Sequence, residues 1–208
     1  MSAASNCNAD VLNMIFKLSL PPHFLLDTSL KGGPESPWCL ALRAKKAIVS
    51  VCRAWRNVGI EFLYREVSFR RTHQVFAFLD ILKSNPGDLG QLVRRMEVMC
   101  YIPSKQGDGL FREVLRQILE RCSRVTAVRY APVVEHPPIS TEIQLQLPLL
   151  DDVLSTITRI ECRGVENVKF VIPQLSRFTS LRSLFIDLNS AVPDMPSLHQ
   201  NKLDLSNL

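Results

Sequence analysis

The sequence predicts an α/β chain of two units, and three observations carry that expectation. Apolar residues recur at helical spacing over about residues 10 to 19 and again from near Leu40 to about Tyr64. Beyond residue 67 an apolar-x-x-apolar-x-apolar template recurs four times, several copies following a helical stretch. The charge also changes along the chain, from a basic segment at Arg43–Arg71 to an acidic balance from Glu135 onward.

Taken in order, Asn8-Ala9-Asp10 supplies cap-type residues ahead of Val11, Leu12, Ile15, Phe16 and Leu18, predicting a helix over about 10 to 19. Pro21-Pro22 and Gly32-Gly33-Pro34-Glu35-Ser36-Pro37 break regular structure and leave a loop between them. The helical pattern resumes near Leu40 and runs to about Tyr64, as one helix or as two meeting around Ser50. Ile48, Val51, Trp55, Val58 and Phe62 follow i, i+3, i+7, i+10, i+14 spacing, a single apolar stripe, while Arg53, Arg56, Asn57 and Glu61 fall on other faces. Truncating a buried Trp on such a stripe costs about 3–5 kcal/mol. The stripe is covered internally, by a partner, or by both.

Val67-Ser68-Phe69 alternates like a short strand. Thr72 is placed to cap a helix carrying Val75, Leu79 and Leu82 on one face, ended by Asn85-Pro86-Gly87. Asp108, between glycines, is expected to cap another helix with Phe111, Leu115, Ile118 and Cys122 on its buried side. Pro132, Pro137 and Pro138 mark a longer connection, and a shorter helix precedes Phe178.

The four copies of the template are Val93-x-x-Met96-x-Val98, Val125-x-x-Val128-x-Tyr130, Ile157-x-x-Ile160-x-Cys162 and Leu181-x-x-Leu184-x-Ile186. Their middle residues stand 32, 32 and 24 residues apart. A repeated helix-then-strand unit cannot bury its apolar face alone, so such units stack as a solenoid with a parallel sheet. Leucine-rich repeats usually run about 20 to 29 residues, so the two longer spacings make this a degenerate solenoid, with a compact α/β layer fold as the alternative. A fifth unit is expected near Leu203-x-Leu205, and the lack of a polar capping repeat after it reads as a truncated solenoid.

At 208 residues and 46% hydrophobic composition the chain has material for a real core. It holds no apolar run of membrane-spanning length, and Met-Ser-Ala-Ala-Ser-Asn lacks the layout of a signal peptide, so a cytoplasmic or nuclear location is expected. Cys7, Cys39, Cys52, Cys100, Cys122 and Cys162 are irregularly spaced, with no C-x-x-C and no Cys/His cluster, and are expected to be reduced and mostly buried. The net charge is +5. Arg43, Lys45, Lys46, Arg53, Arg56, Arg65, Arg70 and Arg71 stand against Glu61 and Glu66, a local surplus that reads either as a solvated surface or as steering toward an acidic partner.

Asp10-Val11-Leu12-x-x-Ile15-Phe16, Leu42-Arg43-x-Lys45-x-Ala47-x-x-x-Val51-Cys52-Arg53-x-Trp55-Arg56 and Ile60-Glu61-Phe62-Leu63-Tyr64 together resemble an F-box of the fungal type. The Val-Cys-x-x-Trp portion is the most specific part, because no propensity argument asks for Cys and Trp at those offsets. The segment Ile118-Leu119-x-x-Cys122-Ser123-x-Val125-x-x-Val128 is similar to the cysteine-containing leucine-rich repeats that often follow an F-box. Three features depart from the two families: Cys7-Asn8 stands where the F-box's opening Leu-Pro lies, a Pro/Gly insertion separates the helices, and Ser123 stands where the repeats commonly have Pro.

The resemblance implies a three-helix F-box domain at 7–67 and a leucine-rich-repeat-like substrate-recognition region at 68–208. It implies a substrate-recruiting subunit of an SCF-type cullin-RING ubiquitin ligase, with the Skp adaptor and a protein substrate as partners and no membrane. Carried over by position, Val11, Leu12, Ile15, Phe16, Val51, Cys52 and Trp55 build or face the adaptor surface, with ordinary core packing as the competing role for each.

No catalytic, cofactor or metal site is expected. His23, His73, His136 and His199 do not pair by spacing with a nucleophile, and Gly107-Asp108-Gly109 is too short for a phosphate loop. Asp151-Asp152 reads as a helix start. The alternative from another class is a basic helical nucleic-acid-binding module. Only Tyr64 and Phe69 stand near the basic residues as aromatics free to stack on bases, which disfavours it.

Overall fold

Asn8 opens the first helix, α1 (Ala9–Ser19), its side-chain Oδ1 accepting the Asp10 backbone N–H at 3.0 Å. The computed structural model describes residues 8–22, 25–26, 33–85, 89–102, 105–134, 151–163, 172–187 and 202–204. Cys7, His23, Pro86-Gly87, His136, Pro137-Pro138, His199 and Leu205 lie outside these residues. The chain divides into two compact units, Met1–Val67 and Ser68–Leu208.

The first unit is helical. α2 (Pro37–Val51) starts three residues ahead of the expected Leu40: the Ser36 hydroxyl accepts the Cys39 N–H, and Pro37 takes the first turn, where its missing N–H costs nothing. α3 (Arg53–Tyr64) follows after a single extended residue, Cys52 (φ −161°, ψ 174°). That residue overturns the single stripe from Ile48 to Phe62. Helical spacing counts residues along one axis, and the break at Cys52 starts a new axis, leaving Val51 exposed while Trp55 turns inward.

α3 packs against both α1 and α2. Phe16 of α1 meets Trp55 and Phe62 of α3 edge-on, with ring centroids 5.0 and 6.0 Å away. Gly59 sets the approach of α2 to α3, since a Cβ there would stand 2.7 Å from Ile48 Cγ2, a branched methyl with little room to move.

The second unit is mixed α/β, with helices and a sheet in which five strands run parallel. Its main sheet has the order β1-β2-β4-β6-β7-β8, where β1 is Glu66–Phe69, β2 Arg95–Val98, β4 Ala127–Tyr130, β6 Arg159–Arg163, β7 Ser183–Asp187 and β8 Lys202–Asp204. A two-stranded ribbon pairs β3 (Tyr101–Ile102) with β5 (Val133–Val134). The connections carry α4 (Thr72–Ser84), α5 (Leu89–Leu92), α6 (Lys105–Arg121), α7 (Asp151–Thr156) and a 3-10 helix (Ile172–Arg177).

The template residues stand side by side in register. Met96, Val128, Ile160 and Leu184 form one row, and Val98, Tyr130, Cys162 and Ile186 the next. Most of this face is buried, together with Phe78, Phe111, Leu115, Ile118 and Leu154 of the helices. The 32-residue period also appears in hydrogen bonds: Thr126 Oγ1 donates to Arg94 O (3.2 Å) and Thr158 Oγ1 to Thr126 O (3.1 Å), each joining a residue to its counterpart in the preceding unit. The third step, to Arg182, keeps only the backbone bond to Thr158 O at 2.9 Å. The hydroxyl ladder ends there because Arg182 has no hydroxyl to donate.

Three further expectations change. Thr72 is the first residue of α4, and the cap comes from Gln74, whose Oε1 accepts the backbone N–H of Arg70 and of Arg71; the Thr72 hydroxyl donates to Tyr101 O instead. α6 begins at Lys105, ahead of Asp108, so Asp108 does not mark its start. β8, which contains Leu203, runs antiparallel to β7 and places Leu203 opposite Leu184, so it returns along the sheet and does not begin a fifth parallel unit.

Candidate functional site

The candidate residues fall into two groups once burial is known. α1 is apolar on two faces. Leu12 and Phe16, four residues apart, are buried against the rest of the first unit. Val11, Met14, Ile15 and Leu18, at i, i+3, i+4 and i+7, form a second stripe that is 47, 64, 45 and 81% exposed. A helix needs one apolar face to pack on its own unit. The second requires another explanation, because side chains of this size are normally exposed singly on a soluble surface.

Val51, at the end of α2, is 53% exposed, and Leu40 near its start is also exposed. Cys52 and Trp55 are half-buried. Trp55 Nε1 is shielded from solvent and has no hydrogen-bond partner among the described residues. Of the seven residues expected to build or face a partner surface, Val11, Ile15 and Val51 point outward, Leu12 and Phe16 are core, and Cys52 and Trp55 lie between. Met14 and Leu18 were missed as surface candidates, although counting i+3 and i+7 from Val11 finds both.

The basic segment is partly neutralised. Arg43 pairs with Glu35 at 3.2 Å, Lys45 with Glu66 at 3.8 Å and Arg65 with Glu61 at 3.8 Å. Burial holds the Lys45 ammonium below the usual lysine pKa, with Glu66 opposing that shift. These contacts tie three of the cations to carboxylates and shrink the surplus offered to a polyanion.

In the second unit the other face of the sheet carries charge. Glu97, Arg129 and Glu161 align with Phe185 across four strands, so the charges alternate in sign. Ser68 Oγ donates to Glu97 Oε2 at 2.8 Å, and Arg129 Nε lies 3.5 Å from Glu161 Oε2. Arg159 also pairs with Glu161, at 2.6 Å, and Arg163 lies 3.8 Å from Asp187. Cross-strand attraction of this kind fixes the side chains in place. The structure ties Arg129, Glu161 and Asp187 into ion pairs, and the Arg94 guanidinium donates to Gln91 O at 2.6 Å.

The thiols of Cys100, Cys122 and Cys162 are buried, and desolvation pushes them up to about 11, 12 and 12. Such groups are poor nucleophiles at neutral pH. Among the described residues, no group of three or more His, Cys, Asp or Glu is arranged to hold a metal ion, and no helix is long and apolar enough to cross a membrane.

Comparison with family models, with curated proteins and with solved structures finds no match.

Proposed function

We propose that this chain is a substrate-recruiting adaptor subunit of an SCF-type cullin-RING ubiquitin ligase. On this reading α1, α2 and α3 are an F-box that docks on the Skp adaptor, and the 32-residue units are a degenerate leucine-rich-repeat-like solenoid that holds a protein substrate. The mechanism is scaffolding: two binding surfaces on one chain raise the effective concentration of the substrate near the ligase-bound, ubiquitin-loaded enzyme. The observation that carries the reading is the second apolar stripe of α1, Val11, Met14, Ile15 and Leu18, left exposed on a helix whose opposite flank already fills the core. Burial of such a stripe in a groove of a partner is the usual driving force for helix docking.

The test is co-expression with a Skp adaptor. Leu12 is buried, so Leu12→Asp would unfold the unit and decide nothing; Val11→Asp and Val51→Asp change exposed side chains. The expected result is co-purification of the natural chain and loss of the adaptor from both folded variants. A natural chain that leaves the adaptor behind, or variants that retain it fully, overturns the reading.

A further inference from the structure

The exposed stripe of α1 has a charge pattern that complements itself. Asp10 lies in the first turn and Lys17 in the last, and both are exposed. Seven residues at about 100° each bring the two to within about 20° of one another around the helix axis. They lie on one flank of the Val11, Met14, Ile15 and Leu18 stripe, while Leu12 and Phe16 lie on the other flank, in the core.

We infer that, in the absence of another partner, α1 pairs antiparallel with α1 of a second copy of this chain, across a two-fold axis near Met14. In an antiparallel helix pair each flank faces the same flank of its partner with the direction reversed. Asp10 of one copy then meets Lys17 of the other, twice, while Val11 packs against Ile15 and Leu18. The same patch serves both copies, as a two-fold interface requires. A parallel pair would instead turn the Asp10 and Lys17 flank of each copy toward the other flank of its partner, the one that carries Leu12 and Phe16, so that the two charges would not meet. Two turns of helix bury less than a permanent dimer needs, so the association is weak, reversible and concentration-dependent. Where the stripe also receives an adaptor, as proposed above, dimer and adaptor complex exclude one another. This last clause rests on that reading; the dimer itself does not.

The test is analytical ultracentrifugation of the full chain over a concentration series. The expected result is a monomer-dimer equilibrium that Met14→Asp abolishes. Asp10→Lys and Lys17→Asp alone are each expected to weaken the dimer about three- to ten-fold, the range for exposed ion pairs replaced by like charges, and the double exchange D10K/K17D to restore it. Lack of self-association, a dimer insensitive to Met14→Asp, or a double exchange without rescue would each overturn the antiparallel pairing. Adaptor capture, measured separately on the same proteins, reports on the docking proposal alone. A chain that stays monomeric yet captures adaptor sinks only the dimer. A dimer that persists when adaptor binds sinks the exclusion.

Discussion

The helical unit and the repeat unit place their apolar side chains in opposite ways. Among the described residues the helical unit buries Leu12, Phe16, Leu26 and Ala41, and exposes Val11, Met14, Ile15, Leu18, Leu25, Leu40 and Val51. The repeat unit buries whole rows, Met96-Val128-Ile160-Leu184 among them, and leaves large apolar side chains exposed singly, at Ile81, Tyr101, Leu110 and Ile172. One unit satisfies itself by stacking, because β2, β4 and β6 find their neighbours 32 residues away and β7 pairs with β6 at a step of 24. The other, among the described residues, leaves apolar side chains of α1 and α2 exposed beside the few that its helices bury.

The contrast is sharpest at Phe16. It is one of few fully buried side chains in the helical unit, so Phe16→Ala should cost that unit about 4 kcal/mol and unfold it. Both tryptophans, Trp38 and Trp55, belong to this unit, so intrinsic fluorescence follows its unfolding. Circular dichroism should retain the signal of the repeat unit. Simultaneous loss of both signals would break the comparison, because the units would then not melt independently.

Gly90→Ala is the counterpart in the repeat unit. A Cβ at Gly90 would stand 2.2 Å from the Arg121 carbonyl oxygen, which is backbone at the end of α6 and has no rotamer to retreat into. The expected cost is about 3 kcal/mol in urea unfolding followed by circular dichroism, with tryptophan fluorescence unmoved.

The buried thiols give an effect of pH with a defined sign. Their folded values, about 11 to 12, exceed the ordinary value of 9.0, so above pH 9 the unfolded chain ionises thiols that the folded chain keeps protonated. The stability they contribute is complete below pH 9 and declines as pH rises toward 11. Alkylation at pH 9 followed by mass spectrometry should therefore label the half-buried Cys39 and Cys52 well before Cys100, Cys122 and Cys162.

Smaller effects test the details. Thr158→Val removes one step of the hydroxyl ladder and should cost about 1 kcal/mol or less, because Thr126 O still accepts the Thr158 N–H at 2.8 Å and the Arg159 N–H at 3.1 Å. Ile15→Asp, on the exposed stripe, should change thermal stability by about 0.5 kcal/mol or less while solubility of the isolated chain improves. A large loss of stability there would mean that the stripe belongs to the core after all.

Periodic features were legible in the sequence. The template at Val93, Val125, Ile157 and Leu181 gave the strand register as found, because a 32-residue repeat in residue type becomes a 32-residue step between hydrogen-bonded neighbours. Asn8 was legible as a cap because its short polar side chain has that role wherever a helix begins. Two helices meeting around Ser50 were one of the readings the sequence left open, and the break falls at Cys52; the residue itself did not mark it, since nothing about Cys disfavours helix strongly and the stripe reads as continuous across it. Gly90 gave no signal either, because the atom it must admit lies on a helix some thirty residues away.

For the candidate site, the sequence determined that α1 would be apolar on most of its surface, since that is a property of residue types at fixed spacing. It could not divide Leu12 and Phe16 from Val11, Met14, Ile15 and Leu18. That division was decided by where α3 lies, through the contacts of Trp55 and Phe62 with Phe16. Burial belongs to a helix and its neighbours together, and only tertiary structure supplies the neighbours.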